Sequence, residues 1–189
     1  ESYAFSNTDL RSIEIPVGVD FIDQSAFDGN ENLTSISVGL GNVTYLAENN
    51  CIYTNAGSTL YIIAPGLKEY VMRDETQKLY NPDMIFRFAS DLTKITINSS
   101  IQFNGIWFMY GLPNLIEVTG PDNHPVFNFL DGCVYNKDFT ELLYCPSGKK
   151  CELEDLPDSV VAIGKYAFVQ NRHLSKFIVP NKIVSLGTW

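Results

Sequence analysis

The chain lacks three things: an apolar run long enough to cross a membrane, a strongly basic stretch, and any clustering of its two histidines. Its longest apolar runs, such as Leu60-Tyr-Ile-Ile-Ala64, fall far short of the ~18–20 residues a membrane-spanning helix requires. No direct membrane insertion is therefore expected of this stretch of chain. No basic lead followed by an apolar segment opens the sequence, so no targeting peptide is read in it. Thirteen Lys and Arg stand against twenty-two Asp and Glu, a net charge of -9. Such a surface repels phosphate backbones and offers anionic lipid no basic patch, which argues against a nucleic-acid partner. His124 and His173 lie 49 residues apart, and the sequence has no His-x-x-x-His and no Cys-x-x-Cys. Metal sites need closer ligand spacing, so no metal and no cofactor are expected. There is no Gly-x-Ser-x-Gly elbow or comparable nucleophile with its base, and the chain does not read as an enzyme. Apolar residues, by contrast, are plentiful: 45% of the 189 residues are hydrophobic and 13% aromatic, ample for a core and too much for disorder.

One phrase organises the rest. Leu10-Arg-Ser-Ile13-Glu-Ile15-Pro16 returns as Leu174-Ser-Lys-Phe177-Ile-Val179-Pro180, and in shorter form from Leu33, Leu92 and Leu115. The leading leucines are spaced 23, 59, 23 and 59 residues apart, so the pattern closes on a super-repeat of 82. Cys51-Ile-Tyr53 and Cys133-Val-Tyr135 obey the same 82-residue offset, as do Leu60 and Leu142. Leu156-Pro157 matches Val179-Pro180 at an offset of 23, which sets another coil start at Cys151 and, by the same count, one near Glu69. Coil starts are thus expected near 10, 33, 69, 92, 115, 151 and 174.

Within a coil the phrase alternates apolar and polar residues, the signature of a strand with one face inward. Ile13 and Ile15 point in; Ser12 and Glu14 point out. Proline at 16, 157 or 180 ends the strand, because it fixes φ and cannot donate to a ladder. Val19, Ile22, Ala26 and Phe27, echoed by Val160, Ile163, Ala167 and Phe168, mark the return leg. Asn7, Asn30 and Asn171 each stand three residues before a leading leucine, where a side-chain amide can bond the backbone of a neighbouring coil. The long intervals hold an insertion, about 49–65 and 131–147, in which two β-favouring runs flank a polar hexamer. Each reads as a β-hairpin folded out across the side of the stack. A lone coil cannot bury enough apolar surface to offset its own ordering, so coils must stack and the ends of an array need caps. Neither end of this sequence carries one, and the chain reads as a fragment of a longer array spanning 1–189.

These residues resemble the BspA-like, or treponemal-type, leucine-rich repeat family. Residues 10–30 follow its short coil, Leu-x-x-Ile-x-Ile-Pro-x-x-Val-x-x-Ile-Gly-x-x-Ala-Phe-x-x-Cys, with Asn30 where the family often has Cys. Asp131-Gly-Cys-Val-Tyr-Asn-Lys-Asp-Phe-Thr-Glu-Leu-Leu-Tyr-Cys-Pro-Ser-Gly-Lys149 is similar to its long-coil phrase, while residues 64–90 follow the pattern poorly. The resemblance implies a β-rich leucine-rich-repeat solenoid: a curved right-handed coil with a parallel sheet on its concave face, irregular or helical return legs, and the two inserted hairpins. It also implies a surface-exposed or secreted protein, in host-associated bacteria or parasitic protists. The role it implies is adhesion to a protein or glycan ligand on host matrix or neighbouring cells, with no catalytic residues.

Candidate sites follow from the outward strand positions, which stacking arranges into rows: Ser12 and Glu14, Ser35 and Ser37, Lys94 and Thr96, Glu117 and Thr119, Lys176 and Ile178. Such rows are the extended binding surface of a solenoid; the bland account is a solvated sheet, with the chain a passive spacer in a longer surface protein. Glu152, Glu154, Asp155 and Asp158 form the one dense acidic run. A hydrolase built on these carboxylates is the remote alternative, against a solvated edge. Cys51 and Cys133 stand where the family places Val and read as buried apolar residues, three coils apart and unable to pair. Cys145 and Cys151 would close a small disulfide loop in an oxidising compartment. Asn32, Asn42 and Asn98 head glycosylation triplets, usable in a eukaryotic source and without meaning in a bacterium.

Overall fold

The recurring phrase folds as short strands stacked in register. The computed structural model describes residues 2–101, 107–152, 156–174 and 178–187, without the side chains of Asn55, Trp107 and Phe108. Strand β1 (Ser12–Ile15) lies parallel to β2 (Ser35–Val38), with Ser12 beside Ser35 and Ile13 beside Ile36. In chain order there follow β3 (Tyr45–Glu48), β4 (Cys51–Thr54), β5 (Thr59–Ile63), β6 (Glu69–Val71), β7 (Lys78–Leu79), β8 (Lys94–Thr96), β9 (Glu117–Thr119), β10 (Phe127–Leu130), β11 (Cys133–Asn136), β12 (Glu141–Tyr144), β13 (Ala162–Ile163) and β14 (Ser185–Leu186). Strands β6, β8 and β9 form a second parallel sheet. Leu33, Leu92 and Leu115 are fully buried, and Ile36, Ile95 and Val118 bury the next inward position. Return legs are irregular, carry 3-10 turns at Gln24–Phe27 and Trp107–Gly111, or hold the short helix α1 (Pro82–Phe88). The chain is a β-rich solenoid of stacked coils with little helix.

The coil expected near Glu69 begins two residues earlier. Glu69 pairs with Lys94, Tyr70 with Ile95 and Val71 with Thr96, so the partner of Leu92 is Leu67. Tyr70 and Met72 are the inward residues, both buried. Counting back in steps of 23 hid this match, because the strands here are offset by 25 residues; the return leg containing α1 takes up the difference.

The insertions differ from the expected hairpins in strand number and in position. Each is an antiparallel meander of three strands, β3-β4-β5 and β10-β11-β12, and each stands inside the stack as a wall. Cys51, Ile52 and Tyr53 are 0% exposed, and β5 is buried along its whole length. Alternate residues of the middle strands β4 and β11 serve opposite cores, as the two-residue strand period dictates, while a register shift in each wall breaks that alternation in β5 and β12. Cys51, Tyr53, Leu60 and Ile63 join the central core around Leu92, Ile95 and Leu115, while Ile52, Tyr61 and Ile62 face Ile15, Phe27, Leu33 and Ile36. The second wall repeats the division: Val134 and Tyr144 belong to the central core, and Cys133, Tyr135, Leu142 and Cys145 to a third core with Leu156, Val160 and Ile163.

Both walls turn through two residues with positive φ, Asn49-Asn50 at 50° and 61° and Asp131-Gly132 at 48° and 71°. This is the two-residue turn whose twist suits paired strands. The Gly132 carbonyl accepts from Val118 N at 2.9 Å, so the turn occupies the rung next to β9 and interrupts the parallel sheet. The last strand of each wall leads a second, parallel ladder along the return legs: β5 pairs with β7, and β12 with β13 and then β14.

Side-chain amides fasten successive coils. Asn30 is buried and its Nδ2 donates to the Phe5 and Phe27 carbonyls at 2.7 and 3.0 Å. Asn171 Nδ2 donates to the Pro146 and Lys149 carbonyls at 3.0 and 2.9 Å. Asn7 is exposed and bonds Ser6 Oγ beside it. A second set holds the turn after the strand. Asn42 Nδ2 donates to the Val19 carbonyl at 2.8 Å while its Oδ1 accepts from Thr44 and Tyr45 N. Asn98 reaches back to the Arg73 and Thr76 carbonyls and accepts from Ser100 and Ile101 N. One super-repeat after Asn42 stands His124, whose Nδ1 accepts from Val126 N at 3.2 Å and Phe127 N at 3.1 Å. That bonding requires the neutral ring with its proton on Nε2. Burial holds the His124 pKa below its ordinary value; the Asn98 carbonyl opposes this shift, and the Lys137 charge adds to it.

Two outcomes are expected. Leu92→Ala should lower the unfolding free energy by about 2–5 kcal/mol in a urea titration, whereas Leu40→Ala, at a fully exposed side chain, should change it by less than about 0.5 kcal/mol. Below pH ~6.5 the unfolded chain takes up a proton at His124 that the folded chain refuses, so stability should fall as pH drops through that range. His124→Asn, installing the residue found at 42, should flatten this dependence and preserve the melting temperature at neutral pH. An unchanged pH slope would assign the effect to another group.

Candidate functional site

The outward strand residues form rows because the strands pair without slippage. Ser12 sits beside Ser35, and Glu14 beside Ser37, all four exposed. In the second sheet Glu69, Lys94 and Glu117 make one row, and Val71, Thr96 and Thr119 the next. Lys94 Nζ donates to Glu117 Oε1 at 3.1 Å, and the hydroxyls of Thr96 and Thr119 are 2.9 Å apart. Among the binding residues expected in the last coil, Ile178 is exposed and Lys176 lies outside the described residues.

The row through Glu117 ends at the second wall, and that junction holds a surface hollow of roughly 410 Å³ lined by Ile116, Glu117, Asp131, Gly132, Gly148, Lys149 and Lys150. Two carboxylates and two ammonium groups thus surround one recess. A Cβ on Gly132 would stand 3.2 Å from Glu117 Cα and from the Ile116 carbonyl, so a side chain there would have to push this edge back by a few tenths of an ångström, on a backbone whose positive φ already disfavours one. Sequence reasoning found Glu117 and missed Asp131, Lys149 and Lys150. They come from a turn and a loop that the tertiary fold alone brings beside β9. The Asp131-Gly132 dipeptide was the available signal, since Asp-Gly between two apolar runs marks a tight hairpin.

The other candidates disperse. Glu152 is exposed and pairs with Lys150 at 3.3 Å, and Asp158 pairs with Lys182 at 3.7 Å; Glu154 and Asp155 lie outside the described residues. Tyr53, Tyr61, Tyr135 and Tyr144 are buried in the walls, and burial pushes their phenols up. Asn32 is exposed. The amide nitrogens of Asn42 and Asn98 are committed to carbonyls of the preceding coil, and a glycan on either would displace those bonds.

The cysteines split one and three. All four are free thiols. Cys51 lies alone of them in the central core, where burial pushes its thiol up to about 12. Cys133, Cys145 and Cys151 converge, their sulfur atoms all within 4.8 Å of one another. Cys133 opens β11, Cys145 follows β12, and Cys151 comes from the loop beyond; the first two are buried and the third half-buried. Thiol hydrogen bonds from Cys133 and Cys145 lower the Cys151 pKa, helped by the Lys149 charge and opposed by burial. Thiol hydrogen bonds with Cys133 and Cys151, with burial, raise Cys145. Cys133, which in sequence reads as an isolated apolar residue, is therefore the third member of the group around the Cys145 and Cys151 thiols.

A family model for the BspA type leucine rich repeat region matches the sequence in six copies, over residues 1–66 and 142–189, more than half of the chain. Among curated proteins no relative matches. A leucine-rich repeat protein from Eubacterium ventriosum superposes with a TM-score of 0.51 at 15% identity, over 96% of this chain and 58% of that one. The pneumococcal vaccine antigen PcpA aligns with a TM-score of 0.47 at 21% identity, over 98% and 38% of the two chains. A leucine rich cell surface protein from Faecalibacterium prausnitzii gives 0.41 at 18% identity, over 95% and 57%. The chain thus spans between 38% and 58% of the length of these solved proteins. With the repeat phrase, the stacked parallel strands and the family match all in agreement, the chain belongs to the BspA-type leucine-rich repeat family.

Proposed function

We propose that this chain is a non-enzymatic binding module of a cell-surface or secreted protein, holding a protein or glycan on host matrix or neighbouring cells against the polar face of its parallel sheets. The observation that carries this reading is the register of the outward rows. Ser12 with Ser35 and Glu14 with Ser37 in one sheet, and Glu69 with Lys94 and Glu117 in the other, set hydroxyls and charges at regular strand spacing. A surface of that kind binds through many modest polar contacts distributed along an extended ligand. Family membership supports the extracellular location, because BspA-like repeats are associated with surface-exposed and secreted proteins. A passive spacer is the second reading, favoured by the way Lys94 and Glu117, and Thr96 and Thr119, satisfy one another.

An array of matrix proteins and glycans separates the two. Lys94→Glu should weaken binding of the captured ligand by about tenfold or more, while changing stability by less than ~1 kcal/mol, as expected for a half-exposed ion pair. Lys94→Glu combined with Glu117→Lys should restore the pair and its stability without restoring binding. Absence of any captured ligand by the intact chain would select the spacer.

A further inference from the structure

We propose that Cys133, Cys145 and Cys151 form a binding site for one closed-shell thiophilic cation, Zn²⁺ or Cu⁺, on the C-terminal face of the second wall. The three sulfurs already lie within 4.8 Å of one another. Around an ion with metal–sulfur bonds of about 2.3 Å they would stand roughly 3.8–4.0 Å apart, a spacing that small side-chain rotations reach without moving the backbone. Three thiolates are the soft donor set that selects such ions over the hard cations.

The first wall supplies an internal control. Its equivalents of Cys133 and Cys145, 82 residues earlier, are Cys51 and Ile63, and the coil start that Cys151 holds is held there by Leu67. Cys51 and Ile63 are directly paired across β4 and β5 and both are buried. Isoleucine therefore fills the position of Cys145 in an otherwise equivalent wall, and packing does not call for sulfur there. The cluster is assembled once, at the second wall, from three separate elements.

Its surroundings suit ion entry and capture. Cys151 is half-buried, which opens a path from solvent to the two buried sulfurs. Lys149, two residues before Cys151, brings a positive charge that offsets part of the negative charge of a three-thiolate complex. Binding releases the thiol protons to solvent, so affinity must rise with pH. Cu⁺ is satisfied by three sulfurs, whereas Zn²⁺ adds a fourth ligand, water, from the side of Cys151.

The test uses the full chain, reduced and stripped of metal under anaerobic conditions. Zn²⁺ is titrated against a chromophoric chelator, Cu⁺ against bicinchoninate, and Co²⁺ serves as the spectroscopic probe of sulfur ligation. The expected result is about one ion per chain, a near-ultraviolet sulfur-to-cobalt charge-transfer band, and affinity that increases with pH. Cys145→Ile, which copies the first wall, should weaken binding by ~100-fold or more with its circular dichroism unchanged, as expected for loss of a direct ligand. Cys51→Val should bind as the parent does. If Cys145→Ile does not fold, Cys151→Ser at the half-buried position gives the same comparison. The proposal is overturned by failure to take up a stoichiometric ion, by undiminished binding in the Cys145→Ile and Cys151→Ser variants, or by two of the thiols forming a disulfide in preference to holding an equimolar ion.

Discussion

A coil made of one short strand and one return leg presents apolar surface and unpaired backbone on both of its flat faces, and only neighbouring coils can cover them. Every other feature of this chain follows from that requirement. Parallel pairing of β1 with β2 and of β6 with β8 and β9 satisfies the strand edges. Asn30, Asn42, Asn98 and Asn171 satisfy carbonyls at the turns, where no ladder reaches. The two walls meet the same requirement with antiparallel strands. Their residues feed a core on each side, so each wall packs against the coils before and after it.

The walls also shape the surface available for function. Because the turn at Asp131-Gly132 takes the rung beside β9, the polar rows do not run unbroken along the stack. The rows through β9 end at this turn, and the hollow beside Glu117 marks the closure. The polar positions are hydroxyl-rich at β1 and β2 and charged at β8 and β9, and the recess beyond β9 carries both signs of charge. The three-thiol group lies on the C-terminal side of the same second wall, which thus supplies an edge to the polar face and two of the three clustered cysteines.

Much of this was legible in the residues. The 82-residue offset between Cys51-Ile-Tyr53 and Cys133-Val-Tyr135 foretold that two equivalent insertions exist, and the alternation in Ser12–Ile15 foretold which residues face out. Glu69-Tyr70-Val71-Met72 resisted assignment because an assumed constant spacing set its start at Glu69, although Leu67 was present to lead it. Tyr45–Glu48 and Phe127–Leu130 were missed as strands because the polar hexamers drew the hairpins around the second and third strands alone. The placement of the walls was misjudged for a different reason. An insertion's length says nothing about whether it lies outside a stack or within it, yet the continuous apolar run Leu60–Ala64 suits a strand buried on both faces.

Periodicity is a local property, and so the sequence by itself determined the family, the coil order and the inward face of the repeat-phrase strands β1, β2, β8 and β9: Leu, Ile and Val recur there at positions that can only be buried one way. Proximity between distant segments is not local. The meeting of Glu117 with Asp131, Lys149 and Lys150, and of Cys133 with Cys145 and Cys151, depends on how the second wall is clasped between two cores. The turn geometry at Gly132 and the register of β11 against β12 set those distances, and both arise only when the coils close on one another.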